Sequence, residues 1–208
     1  MNGVLSCLVE SMVVEELSML AEEAKTASDL ESEGLCLAVH NKRFTLYDPV
    51  VATNKLTNPA VGNIEIKFLA HCNNWKVEYS AARKGYGPVM YDIAMSHISP
   101  EFLRADTTHV SEDARKVWKY MFNHRGNEFL MEPIEDMAKE ISKPFCGTAA
   151  KGSHKAFEYA YAIKNKLNIE PLVKNNNDYA EKQGTDLEIF NRDMQWFGGK
   201  LFNQLFKE

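Results

Sequence analysis

Apolar residues recur along this chain with two different periods. Between Val9 and Ala24 they return every three or four positions (Val9, Met12, Val13, Leu17, Leu20, Ala21, Ala24), with Glu10, Glu15, Glu16, Glu22 and Glu23 largely on the other faces. That spacing predicts an amphipathic helix over residues 8–25, ended by the polar stretch Thr26 to Gly34. From Leu35 the pattern changes. Leu35–Val39 and Arg43–Tyr47 flank the short polar turn His40-Asn41-Lys42, a hairpin signature. Pro59 and Gly62 punctuate an irregular stretch over 49–63. Two alternating strands follow. Asn63–His71 sets Ile64, Ile66 and Phe68 against Glu65 and Lys67, and Trp75–Ala81 sets Trp75, Val77 and Tyr79 against Lys76, Glu78 and Ser80. The turn Cys72-Asn73-Asn74 makes these two antiparallel neighbours.

Beyond a glycine-bearing turn, Pro88–Ile98 reads as a helix, with Pro88 suited to its first turn. Phe102–Ala105 is a short strand. Ser111 caps a helix whose buried face is Ala114, Val117, Trp118, Met121 and Phe122, and Asn127–Met131 is one more strand. Gly147–His154 looks like a flexible joint, followed by a helical region to about Lys166 and a polar loop around Asn175-Asn176-Asn177. Leu187, Phe190, Met194, Phe197, Leu201 and Leu205 then mark a terminal helix that Gly198-Gly199 interrupts. The order predicts a mixed α/β fold: a central, mostly antiparallel sheet flanked by helices, with a helical C-terminal extension. It divides into an N-terminal helix and linker (1–34), a core (35–145) and the mainly helical extension (146–208).

Composition narrows the partners rather than the fold. Of 208 residues 45% are hydrophobic and 25% charged, enough apolar material for a core. A net charge of −5 gives no strong nucleic-acid signal. No run of eighteen apolar residues suggests a membrane span, and the N-terminus lacks a positive leader. Cys7, Cys36, Cys72 and Cys146 are far apart with no C-x-x-C pair, which reads as reduced, mostly buried thiols of an intracellular protein, without a metal site.

The chemistry concentrates in Ala82-Arg83-Lys84-Gly85-Tyr86-Gly87-Pro88. Two glycines two apart let the backbone approach a ligand and turn successive N–H groups inward. The helix that follows adds its positive end, so a pyrophosphate is favoured there, with Arg83 and Lys84 at the rim. Pro88 cannot donate, which leaves the cradle to residues 83–87. A tight ligand-free turn has the same appearance, because G-x-G alone is a weak motif.

The surroundings carry more. An alternating strand, a loop ending Gly85-Tyr86-Gly87, a helix, a strand and a helix with Ser111-x-x-Ala114-x-x-x-Trp118 resemble the signature of GNAT-type N-acetyltransferases over residues 35–130. The run Glu78–Met95, with Ala105-Asp106, Val110-Ser111 and Ala114-Val117-Trp118, is similar to GNAT-like proteins encoded by tailed bacteriophages. The resemblance implies acetyl-coenzyme A as co-substrate, bound by Val77, Tyr79, Arg83, Lys84, Gly85, Tyr86, Gly87, Ser111 and Trp118. It implies direct attack of an amine, on a protein or small molecule, upon the thioester. Glu78 or Glu65 would serve as general base and Tyr79, Tyr86 or Tyr91 as acid; solvent-facing carboxylates and packed rings are the plainer readings of these residues. Asp106 and His109, just after a strand end, are further candidates.

The chain departs from the family at three places. Ala82 opens the loop where glutamine or arginine is usual, Ser111 replaces asparagine, and Trp118 stands where many members place a tyrosine that protonates the thiolate. Indole cannot act as that acid. A catalytically silent GNAT-fold structural or regulatory protein, in host cytoplasm or virion, is therefore the alternative, and a nucleotide-binding module is a third reading. The terminal helix either packs within the chain or docks on a partner or second copy.

Overall fold

A computed structural model describes residues 24–53, 57–70, 72–106, 110–134 and 154–205. The helix expected over 8–25 lies almost wholly outside them, as do His109 and all of the 147–154 joint except His154. The hairpin forms where the sequence puts it: β1 (Cys36–His40) and β2 (Arg43–Tyr47) pair antiparallel. Asn41 and Lys42 both take positive φ, 49° and 63°, as a two-residue turn of matching twist requires. β3 (Ala60–Leu69) and β4 (Asn74–Ala82) continue the antiparallel ladder. β5 (Leu103–Arg104) is parallel to β4, while β6 (Phe129–Pro133) and β7 (Tyr159–Ile163) pair antiparallel. Together they make one seven-stranded, mostly antiparallel open sheet in the order β1–β2–β3–β4–β5–β7–β6.

Six helices are described. α1 (Ala27–Ser32) starts at a capping box in which Thr26 and Asp29 satisfy each other's backbone. α2 (Pro49–Ala52) is a single capped turn. α3 (Gly87–Ile98) lies on one face of the sheet and is buried on nearly every side, its Val89, Met90, Ile93 and Met95 packing with Phe44, Leu46, Ile64, Ile66 and Val77. α4 (Glu112–His124) is capped by Ser111 and inserts Val117, Trp118 and Met121 into the same core. α5 (Glu170–Lys182) and α6 (Leu187–Leu205) cover the opposite face, where Phe190, Met194 and Ala180 meet Cys36, Ala38 and Tyr47, and Leu201 meets Ala60 and Ala81. The terminal apolar stripe is thus turned onto the sheet; Leu187, Ile189 and Trp196 of α6 remain exposed. No described helix is long and apolar enough to cross a membrane.

Four expectations are corrected. Residues 155–166 are not helical: a short 3₁₀ turn leads into β7, inserted between β5 and β6. Its Tyr-Ala-Tyr-Ala-Ile run shows no alternation because Ala160 to Ile163 are all buried, on both faces of the strand. Asn175-Asn176-Asn177 is no loop but the middle of α5. Asn176 is buried there, accepting from Tyr47 Oη at 3.0 Å and donating to Asn191 Oδ1 at 3.0 Å, so tertiary bonds override weak helix propensity. α6 runs unbroken through Gly198-Gly199. Finally, Cys72 is disulfide-bonded, whereas Cys36 is free, so the reading of four reduced thiols does not hold. Separation in sequence says nothing about the Cα–Cα approach a disulfide needs.

A bulge in β4 changes which side chains meet. Glu65 pairs with Tyr79 but Ile66 pairs with Val77, leaving Glu78 as the extra residue. The simple alternation puts Trp75, Val77 and Tyr79 on one face. Instead Trp75 and Val77 pack with the α3 core, and the phase flips beyond Glu78. Ser80 then faces α3, bonding Tyr91, while Tyr79 faces α6, its Oη accepting from Asn63 Nδ2 at 3.1 Å.

Candidate functional site

β4 and β5 stay together only over Trp75–Leu103 and Lys76–Arg104. Past Lys76 no described strand pairs with β4 on that side, and α4 stands opposite instead. The gap is a cleft with two lobes. One is lined by Ser80, Ala82, Gly87, Met90, Ser111 and Val117, the other by Val77, Glu78, Tyr79, Asp106, Val110 and Trp118; Ser80, Tyr91, Ser111 and Ala114 belong to both. Its walls are chiefly small or apolar, so it suits a slender extended chain lying along the free edge of β4.

One end of the cleft is the glycine turn. Tyr86 N–H donates to Arg83 O at 3.0 Å and Gly85 has φ of +86°, the positive value that the third position of a type II turn demands. α3 begins at Gly87 without a side-chain cap, and the amides of Gly85, Gly87 and Val89 have no acceptor among the described residues. Orphaned donors at a helix start suit an anion. A Cβ on Gly87 would come within 3.1 Å of Val117 Cγ2, so glycine also keeps α3 and α4 in contact. The expected cradle residues are not equivalent. Arg83 N–H is already bonded to Val61 O at 2.8 Å, and its Nη2 donates to Asn58 O at 2.8 Å. Tyr86 donates to Glu33 Oε2 at 2.6 Å; burial, reinforced by Glu33, pushes its hydroxyl up to about 12. Glu33 also pairs with Lys25 Nζ at 2.7 Å, and Lys25 N–H reaches Gly85 O at 2.9 Å, which ties the segment before α1 to the turn. Lys84 is exposed at the rim.

The other end gathers charge. Lys76 Nζ lies 2.8 Å from Asp106 Oδ2 and 3.5 Å from Glu78 Oε2. Burial alone would lower the ammonium, yet Asp106 and Glu78 outweigh it and raise the net value. Glu78 is the bulged residue and exposed. Glu65 is elsewhere: it lines neither lobe, and Arg43 Nε donates to its Oε2 at 2.9 Å. Tyr79 sits beside that pair, Arg43 lying 5.2 Å from its ring; burial raises its hydroxyl against the opposing pull of Asn63 and Arg43. Trp118 is 1% exposed and wedged between the Tyr91 and Tyr161 rings, centroids 5.0 and 5.1 Å away. Ser111 Oγ is spent as the α4 cap, accepting from Ala114 N–H at 3.2 Å.

Ser80 and Lys76 were not legible as site residues. The bulge hides Ser80 by inverting the phase, and Lys76 reads as an ordinary outward lysine until Asp106 is brought beside it.

Next to Tyr91 on α3, Asp92 accepts from Arg125 Nη1 at 2.9 Å through Oδ2, while Oδ1 has no partner among the described residues. Burial raises this carboxyl to about 6 despite Arg125. Its ordinary value is 3.8, so on acidification the folded protein takes up this proton before the unfolded chain does. The group's stabilising contribution is full below about 4 and is lost as pH rises through about 6. Thermal melts from pH 4 to 7 should therefore show wild type gaining on Asp92→Asn, on the order of 2 kcal/mol, as pH falls. Parallel profiles would refute the shift.

No family model matches the chain, and neither a curated protein nor a solved structure matches it.

Proposed function

We propose that this cleft binds acetyl-coenzyme A and that the protein is a GNAT-type N-acyltransferase. The single observation that carries the reading is the continuity of the cleft. Among the described residues, a strand edge without a neighbour (Val77–Ala82) runs from a carboxylate-bearing bulge to a helix start whose amides at Gly85, Gly87 and Val89 have no acceptor. The strand, glycine turn, helix, strand and helix of the resemblance correspond to β4, residues 83–86, α3, β5 and α4, of which β4, α3 and α4 line the cleft. The mixed sheet with its one parallel pair at β4–β5 supports the same reading.

The chain's residues divide the work. Gly85, Gly87 and Val89 amides with the α3 dipole hold the pyrophosphate, and Lys84 adds charge at the rim. The β4 edge at Val77–Tyr79 pairs with the amide-bearing arm. The bound group supplies an activated thioester. Glu78, open to solvent and beside Lys76, takes the proton from an incoming amine. Glu65, engaged by Arg43, is the weaker choice of base. Cationic acceptors fit the carboxylates of Glu78 and Asp106, and the reading requires no nucleic acid and no membrane.

Calorimetric titration with acetyl-coenzyme A tests binding, and thiol release with lysine-containing peptide and polyamine acceptors tests turnover. Absence of binding would overturn the proposal. A silent binding protein is the second reading, favoured by the buried Trp118 indole where a proton donor is expected; binding without thiol release would select it.

A further inference from the structure

The lining of the cleft is poor in hydroxyls. Tyr79 Oη lies toward the other face of the sheet, accepting from Asn63 Nδ2, and Ser111 Oγ sits at the start of α4, accepting from Ala114 N–H. The exception lies where the two lobes join: Tyr91 Oη is 2.8 Å from Ser80 Oγ, and both residues line both lobes. The two come together because the bulge at Glu78 turns Ser80 toward α3. The Tyr91 ring is fixed edge-on against Trp118, at 81° and 5.0 Å, so the hydroxyl has little freedom to leave this position. A buried phenol and a half-buried serine with no other partner among the described residues leave one of the two hydrogens for a third group.

We propose that the Tyr91 hydroxyl, held by Ser80, is the hydrogen-bond donor to the departing sulfur. The inference rests on the acyltransferase reading. An amine deprotonated beside Glu78 meets the acyl carbon at that end of the cleft. The sulfur, one bond back toward the glycine turn, then falls on the Ser80–Tyr91 side. Nitrogen bonds to the acyl carbon, the carbon–sulfur bond breaks, and its electron pair stays on sulfur, where Tyr91 Oη–H meets it. The amine proton passes to the Glu78 carboxylate. Burial pushes the Tyr91 hydroxyl up to about 12, with Ser80 opposing, so it remains a donor throughout the working pH range. Hydrogen bonding to the charged form of a group favours that form. Tyr91 therefore stabilises the thiolate without surrendering its own proton.

The test needs no acceptor. Free coenzyme A is bound to wild type, Tyr91→Phe and Ser80→Ala, and the thiol of the bound molecule is titrated by thiolate absorbance, with affinity measured by calorimetry. Wild type should lower the bound thiol's pKa by about one unit relative to free thiol, about 8.5. Tyr91→Phe should restore it with affinity changed less than threefold, and Ser80→Ala, which keeps the ring but releases the hydroxyl, should fall between. With acetyl-coenzyme A, Tyr91→Phe should reduce kcat on the order of a hundredfold and KM little. Equal thiol pKa values in wild type and Tyr91→Phe would overturn the donor role. So would loss of affinity in Tyr91→Phe at an unchanged melting temperature, which would make Tyr91 a packing residue. If Tyr91→Phe does not fold, a wild-type thiol pKa in Ser80→Ala overturns it. Failure of wild type to bind coenzyme A would overturn the acyltransferase reading itself.

Discussion

Gly198→Val is expected to destabilise the protein by about 3 kcal/mol, while Gly199→Ala, one residue on in the same helix, is expected to stabilise it by about 0.5–1 kcal/mol. A Cβ on Gly198 would stand 2.6–2.9 Å from the Asn63 amide, well inside contact, whereas one on Gly199 meets nothing within 4 Å. Asn63 cannot simply retreat. It is fully buried, its Oδ1 accepts from Thr45 Oγ1 at 3.0 Å, and its Nδ2 donates to Tyr79 Oη at 3.1 Å. Moving it orphans polar groups in the interior, which adds to the overpacking cost. At Gly199 only the entropy saved in the unfolded chain and the better helix propensity remain. Urea titration of the two variants checks both signs. A Gly198→Val variant within 0.5 kcal/mol of wild type would mean that α6 does not approach β3 as described.

The second large effect concerns binding. Gly87→Val should weaken acetyl-coenzyme A at least a hundredfold, about 2.7 kcal/mol or more, while the secondary structure remains. The added branch crowds Val117 at 3.1 Å, fills the lobe beside the turn and stands in front of the amides offered to phosphate. Circular dichroism and calorimetry on the same samples separate misfolding from lost binding. Unchanged affinity in a folded variant would move the pyrophosphate away from this turn.

Most of the first half of the fold is legible in the sequence, because its elements have one covered and one open face or end in residues with backbone meaning. The hairpin at Asn41-Lys42, the Ser111 cap and the Gly85 turn are of this kind. β7 is not legible: Tyr159–Ile163 is apolar throughout, and an apolar run of five residues has no period by which to tell strand from buried helix. Asn176 and Gly198 misled for a shared reason. Each is locally unsuited to a helix and is there for a partner far away in sequence, Tyr47 for one and Asn63 for the other. The candidate site divides similarly. Glycines, proline and the cap announce themselves locally, and the cradle follows. The Ser80–Tyr91 pair and the Lys76–Asp106–Glu78 group depend on a bulge and on where β5 parts from β4, and neither leaves a mark on hydrophobic spacing.

The placement of β7 has a consequence for the order in which the molecule is made. β5 has no partner on its far side until residues 159–163 have been synthesised, because β6, although translated earlier, reaches β5 only through β7. A chain still attached to the ribosome and ending before Tyr159 can assemble β1 to β4 with α3, and can form the glycine turn. It cannot yet brace the wall that carries α4, since Trp118 lacks Tyr161 and β6 lacks its ladder. The end of the cleft at the glycine turn is thus formed in the nascent protein well before the end at Lys76, Glu78 and Asp106, and the finished groove appears only when β7 has been threaded into the sheet.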